Sequence, residues 1–132
     1  MAHAGAYRQQ QIMTASAEEI VAQLYAGLVR WVGRAEAAIR ADNPAAAGEA
    51  NGRALDIVAC LLGALDHDRG GDVARSLQTT YELWSRCLIR GLRDRDPEAF
   101  AAVRQQVQGL ADAWRRAMVE AGAAGRQDHA SV

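Results

Sequence analysis

The sequence predicts an all-α protein, an antiparallel up-down-up-down four-helix bundle with a flexible N-terminal arm. Four stretches repeat apolar residues with the 3.6-residue period of an α-helix. The segments between them are short and contain turn and capping residues, and short loops join antiparallel neighbours. Alanine and arginine, both strong helix formers, are abundant, and there is no lysine. A chain of 132 residues is expected to form a single domain over residues 1–132.

The first helix is predicted over residues 17–40. Residues 1–15 show no helical period and are assigned to the arm. Ser16, followed three residues later by Glu19, forms a capping box at the helix start. The predicted core stripe consists of apolar residues at helical spacing: Ile20, Leu24, Leu28, Trp31, Ala35 and Ile39. Four further apolar residues widen this stripe: Val21, Tyr25, Val29 and Val32.

The second helix is predicted over residues 44–66. Asn43 suits the N-cap and Pro44 the first helical position. The helix carries two neighbouring apolar stripes, the second of which contains Leu55, Val58, Leu62 and Leu65. Three interior glycines disfavour the helix and are expected to let another backbone or a peptide approach closely: Gly48, Gly52 and Gly63.

The third and fourth helices are predicted over residues 71–93 and 97–120. A polar turn from Asp66 to Gly71 precedes the third helix, and Asp96 and Pro97 mark the start of the fourth. Residues 122–132 are expected to form a disordered tail. The predicted core stripes are Val73, Leu77, Tyr81, Trp84 and Leu88 in the third helix and Phe100, Val103, Val107, Leu110, Trp114 and Ala117 in the fourth.

The sequence contains no pattern typical of catalysis. No glutamate has a histidine three residues later, as helical di-metal sites require, and the core stripes lack carboxylates. An EF-hand loop starting at Asp66 would need a glutamate where Leu77 stands. A nucleophile paired with a base and a phosphate-binding glycine loop are also missing. The protein is therefore expected not to be an enzyme and to need no metal or cofactor.

Charge and hydropathy also restrict the function. A formal net charge of −1 gives no reason to expect nucleic-acid binding. The longest apolar run, residues 57–65, is much shorter than the roughly 20 residues of a membrane-spanning helix. Cys60 and Cys87 lie about 15 Å apart along a predicted hairpin, too far for a disulfide, and two free thiols suit a reducing compartment. A cytoplasmic protein without membrane insertion is expected.

The predicted helices carry more apolar residues than one stripe per helix requires. A densely packed core is one explanation. A groove for an amphipathic partner segment is the second, and it is compatible with a monomer or weak dimer. The third is a self-associating structural bundle, or an adaptor for another amphipathic helix. The composition and spacing leave these three alternatives open.

Five short sequence blocks occur in a fixed order along most of the chain. They are Tyr7 with Thr14-Ala15-Ser16, then Leu24-Tyr25-Ala26-Gly27, then Leu65-Asp66 with Gly70-Gly71-Asp72-Val73-Ala74 and Tyr81, then Arg86 and Leu88, then Asp96 with Ala113-Trp114. In this order the sequence resembles the flagellar export chaperone family (FliS) over about residues 7–118. It departs from the family pattern at Ala17, Ala26, Ser76 and Thr80, which leave the bundle pattern intact.

This resemblance implies a cytoplasmic chaperone that binds the disordered C-terminal segment of flagellin. Such a chaperone prevents premature polymerisation and supports type III flagellar export, so the export apparatus is a second expected partner. In the family the arm lies against the empty bundle, with Tyr7 and Ile12 as its anchors here. The expected groove residues are Leu55, Val58, Leu62, Leu77, Tyr81 and Trp84. Core packing is the alternative role for each of them, and it is the favoured role for Leu77 and Trp84.

Overall fold

Four α-helices form the structure, a computed structural model that describes residues 16–130, with side chains to residue 124. In chain order they are α1 (Ala17–Arg40), α2 (Pro44–Ala64), α3 (His67–Arg93) and α4 (Pro97–Ala130). Each helix packs against the next in the chain, and α4 packs against α1. Because the linkers span only 41–43, 65–66 and 94–96, successive helices run antiparallel. The predicted four-helix bundle is confirmed, while the predicted arm lies outside the described residues.

The predicted capping residues are found at the helix starts. The Ser16 hydroxyl accepts a hydrogen bond from the backbone N–H of Glu19 at 3.1 Å. The Asn43 side chain accepts one from the N–H of Ala46 at 3.2 Å. The Asp96 carboxylate similarly accepts from the N–H two residues later at 3.1 Å. These bonds pair N–H groups that have no partner within the helix, and so they determine where each helix begins.

The junction between α2 and α3 differs from the prediction. Helix α2 ends at Ala64, because Leu65 is extended, and α3 begins at His67 instead of residue 71. The Asp66 carboxylate caps this earlier start by accepting from two backbone N–H groups at 3.1 Å. Gly71 then breaks the helix with φ 52° and ψ −122°, a conformation that favours glycine. Residues 67–70 therefore form one turn before the long part of α3.

Helix α4 extends beyond its predicted end. The expected helix stopped near residue 120 and was followed by a disordered tail over 122–132, whereas the structure continues the helix to Ala130. The added segment contains several alanines and no proline, so local propensity permits a helix there. None of the four described helices is both long and apolar enough to cross a membrane.

All four helices contribute to one buried apolar core. The predicted stripes of α3 and α4 supply its centre, through Tyr81, Trp84 and Leu88 and through Phe100, Val103 and Val107. The predicted stripe of α1 was partly wrong, because the helix turns residues 25, 28, 32 and 35 inward and leaves Ile20 40% exposed. The remaining members of the core come from α1 and α2: Tyr25, Leu28, Val32, Ala35, Ala50, Ala54, Val58 and Leu61.

Candidate partner-binding groove

One end of the bundle carries a groove with a mainly apolar lining. At this end α1 begins, α2 ends and α3 begins, and α4 adds the side chain of Trp114. The groove has a volume of about 400 Å³, within the range of ligand-binding pockets. The apolar and aromatic residues that line it are Ala17, Val21, Tyr25, Leu61, Ala64, Leu65, Val73, Ala74, Leu77, Tyr81 and Trp114.

The apolar stripe of α3 continues past the packed core into this groove. Tyr81 is buried, Leu77 is half-buried, and Val73 is 67% exposed, although all three follow one face of the helix. Ile20, near the start of α1, is also exposed. Apolar side chains that continue a core stripe but stay uncovered are typical of a surface that binds a partner. Part of the surplus apolar surface therefore lies at this end of the bundle.

Two tyrosines from opposite helices form the floor of the groove. The hydroxyls of Tyr25 in α1 and Tyr81 in α3 share a hydrogen bond of 2.5 Å, and both residues are at most 2% exposed. The ring of Trp114 meets that of Tyr25 edge-on at 6.2 Å, and its Nε1 donates to the backbone oxygen of Glu18 at 2.9 Å. Because these polar atoms have partners, the floor is held in one arrangement.

Burial raises the pKa of Tyr81, and its hydrogen bond with Tyr25 raises that pKa further. Burial also raises the pKa of Tyr25, while the hydrogen bond with Tyr81 lowers that pKa by a smaller amount. Both phenols therefore stay neutral near pH 7, and the floor presents no charge to a bound segment.

Charged groups lie at the edge of the groove. The lining includes Glu18, Asp66 and Arg69 beside the apolar residues. The Arg69 guanidinium lies 3.9 Å from the Asp66 carboxylate, and both side chains are largely exposed, so this ion pair contributes little stability. An apolar floor with a polar edge is the usual anatomy of a protein–protein interface.

The residues that the sequence predicted for partner binding occupy three kinds of position. Leu77 and Tyr81 line the groove, Leu77 as a half-buried wall and Tyr81 as part of the floor. Val58 and Trp84 lie in the core at 0% and 1% exposure, and Trp84 Nε1 donates to Gln106 at 2.8 Å. These two belong to the packed core and do not line the groove.

The other predicted binding residues lie outside the groove. Leu55 and Leu62 are partly buried on α2 and pack against the core. Tyr7 and Ile12 fall outside the described residues. Their proposed contacts with a partner or with the bundle stay predictions.

The glycines of α2 make no close contact with the rest of the described chain. A Cβ atom at Gly48, Gly52 or Gly63 would lie more than 4 Å from the other described helices and from side chains beyond the adjacent residues. These positions therefore do not serve close packing inside the described bundle. The prediction that they admit another backbone or a peptide stays untested.

Sequence reasoning missed several residues that line the groove. Leu65 and Val21 were assigned to second stripes, and Val73 and Trp114 to the core, so none was selected for binding. The signal that could have found them is position. All four lie on apolar stripes at the end of the bundle where residues 17, 65 and 73 come together. Periodicity identifies the stripe but not the point at which the neighbouring helices stop covering it.

Among the described residues, no three His, Cys, Asp or Glu side chains gather in a way that suits a metal ion. Cys60 is exposed and Cys87 half-buried, and both are free thiols, as predicted.

The fold and groove place the chain among small helical bundles that carry an apolar groove at one end. Comparison with known proteins makes the class specific. The profile of the family described as "Flagellar protein FliS" matches residues 1–121. The chain belongs to the FliS family of flagellar secretion chaperones, which confirms the resemblance of the five sequence blocks.

Three curated relatives carry the name "Flagellar secretion chaperone FliS". The protein from Vibrio cholerae is 30% identical over 104 residues, covering 79% of this chain and 76% of the relative. The Salmonella typhimurium protein is 28% identical over 106 residues, covering 80% and 78%. The Campylobacter jejuni protein is 29% identical over 110 residues, covering 83% and 86%.

Proposed function

We propose that this protein is a cytosolic export chaperone that binds the disordered C-terminal segment of flagellin. In this role it has no catalytic activity, keeps flagellin from polymerising before export, and presents it to the type III flagellar export apparatus. The observation that carries the proposal is the apolar groove between α1, α2 and α3, which residues 16–124 leave uncovered. Family membership supports the chaperone role.

The groove suits a segment that becomes helical when it binds. A helix places apolar side chains three and four residues apart on one face, and a hydrophobic groove can take that face. The terminal segment of flagellin has apolar faces that pack inside the filament, so a groove that covers them competes with polymerisation. Leu65, Val73 and Leu77 are the accessible apolar walls on the α2–α3 side.

The remaining predicted binding residues have distinct roles within this proposal. Leu55 and Leu62 extend the client path along α2, where their exposed portions are available. Val58, Tyr81 and Trp84 hold the shape of the groove from inside the bundle. Tyr7 and Ile12 anchor the N-terminal arm on the empty chaperone, and the client displaces the arm.

Two equally exposed valines provide a matched test by calorimetric titration with a peptide from the C-terminal segment of the cognate flagellin. Val73 in the groove is 67% exposed, and Val119 on α4 is 66% exposed outside it. Val73→Asp removes apolar contact and buries a charge, so it should weaken binding about tenfold or more, while Val119→Asp should change it less than about twofold. No heat with the unmodified protein at micromolar concentrations, or equal losses in both variants, would contradict the proposal.

Self-association is the competing use of the same apolar surface. The proposal expects a monomer or weak dimer with a vacant groove. Sedimentation velocity of the unmodified protein and the Val73→Asp variant separates the two uses. A stable dimer that dissociates in the variant would show that a second copy fills the groove.

A further inference from the structure

The outward face of α3 carries a second apolar surface, which we call the α3 outer face. It is a shallow depression of about 380 Å³ lined by Leu83, Arg86, Cys87, Ile89, Arg90 and Arg93. Leu83 is 44% exposed and Ile89 56% exposed, among the most exposed large apolar side chains in the described protein. Residues 16–124 leave these two side chains without cover.

The α3 outer face points away from the end groove. Successive residues of an α-helix turn by about 100°, so residues 83, 86 and 90 lie on the side opposite residues 81, 84 and 88. The latter three are buried in the core. No residue of the outer face lines the end groove, and no residue of the groove lines the outer face. The part of a client that binds in the end groove therefore leaves this face uncovered.

The charge on the α3 outer face is basic. Within residues 16–124, neither Arg86 nor Arg90 forms an ion pair, while Arg93 is bonded to Asp94 at 3.0 Å. The lining contains three arginines and no carboxylate. Glu82, one turn before Arg86, accepts its hydrogen bond from Gln78. The Arg90 guanidinium helps to lower the pKa of the Asp94 carboxyl, but it makes no direct contact with it. Within residues 16–124, the N–H groups of Arg86 and Arg90 therefore remain available beside two exposed apolar side chains.

We propose that the α3 outer face binds an acidic amphipathic helix of a protein partner, separately from the segment bound in the end groove. The apolar side chains of the bound helix would cover Leu83 and Ile89, and its flanking carboxylates would form ion pairs with Arg86 and Arg90. An anionic membrane surface is the weaker candidate for this face, because the protein has a net charge of −1 and the face offers few apolar side chains to insert.

Two designed peptides test this proposal by fluorescence anisotropy. Both carry leucines three and four residues apart on one helical face, and the flanking positions are glutamate in one peptide and lysine in the other. The unmodified protein should bind the glutamate peptide at least tenfold more tightly than the lysine peptide, and added salt should reduce this preference. The Arg86→Glu/Arg90→Glu variant should reverse the preference. The Arg115→Glu/Arg116→Glu variant makes the same charge change on exposed positions of α4 and should preserve it.

The two cysteines locate the bound peptide. Cys87 lies in the outer face and Cys60 is exposed on α2. The glutamate peptide should slow alkylation of Cys87 in a Cys60→Ser protein severalfold, and leave alkylation of Cys60 in a Cys87→Ser protein unchanged.

Several results would overturn the proposal. Equal affinity for the two peptides, or an unchanged preference after Arg86→Glu/Arg90→Glu, would remove the charge argument. Loss of peptide binding in Val73→Asp would place the peptide in the end groove instead. Binding of phosphatidylglycerol vesicles that blocks the peptide and depends on Arg86 and Arg90 would assign the face to a membrane. A failure of flagellin binding alone would leave this proposal standing, because the charge preference is measured at Arg86 and Arg90, which lie outside the groove.

Discussion

The hydrogen bond between Tyr25 and Tyr81 predicts a strong energetic coupling between α1 and α3. Replacing either tyrosine by phenylalanine keeps the ring but leaves the other hydroxyl buried without its partner. Both residues are at most 2% exposed, so the stranded hydroxyl gains little from water. Each single variant should lose about 1–3 kcal/mol of unfolding free energy. The double variant removes both hydroxyls, and its loss should be smaller than the sum of the single losses by about 1 kcal/mol or more.

Urea denaturation measures these free energies, with helix content followed by circular dichroism. The denaturant dependence should stay the same in all four proteins, because phenylalanine exposes about as much surface on unfolding as tyrosine. Additive losses would refute the reasoning, because they would mean that the two hydroxyls do not depend on each other in the folded protein. Flagellin-peptide binding by the double variant would then show how far the groove depends on this floor.

The same structure predicts two further responses. The pKa values of Tyr25 and Tyr81 are raised by folding, so their neutral forms stabilise the protein fully below about pH 10, and this stability falls as pH rises further. The chain has no lysine, whose titration would overlap that of tyrosine near pH 10. The urea midpoint of the unmodified protein should therefore fall above about pH 10, and that of the double phenylalanine variant should fall less. Gly91→Ala should lower the unfolding free energy by about 1–3 kcal/mol, because the new Cβ would lie 2.9 Å from the Phe100 ring. Gly52→Ala should raise it by about 0.4–1 kcal/mol, because the new methyl group would lie in open space. Similar urea midpoints for these two variants would contradict the packing of α3 on α4.

The fold was predictable because local signals and the apolar period agree. Ser16, Asn43 and Asp96 cap the helices that they were expected to cap. Trp84 and Phe100, taken as core residues from spacing alone, are among the largest fully buried side chains. Local hydrogen bonding and a 3.6-residue pattern are properties of short segments, so they can be recognised without knowing which helix packs against which.

The site was less predictable, because it depends on where tertiary cover ends. Val73 and Tyr81 lie on the same stripe of α3, yet one is exposed and the other buried. Besides the local break at Gly71 and the extended Leu65, that difference depends on where α1 begins, more than fifty residues earlier in the sequence. The early start of α3 was missed for a related reason, since Asp66 was interpreted as part of a turn and not as a cap. The exposure of Leu83 and Ile89 on the outer face of α3 likewise depends on where the neighbouring helices pack.

Methyl NMR of valine- and leucine-labelled protein, titrated with the flagellin C-terminal peptide, tests the central claim most directly. If the end groove is the client site, the methyl signals of Leu65, Val73 and Leu77 should shift most, and those of Val119 should stay in place. Shifts confined to Val119 or to Leu83, with the three groove residues unchanged at saturating peptide, would contradict the account.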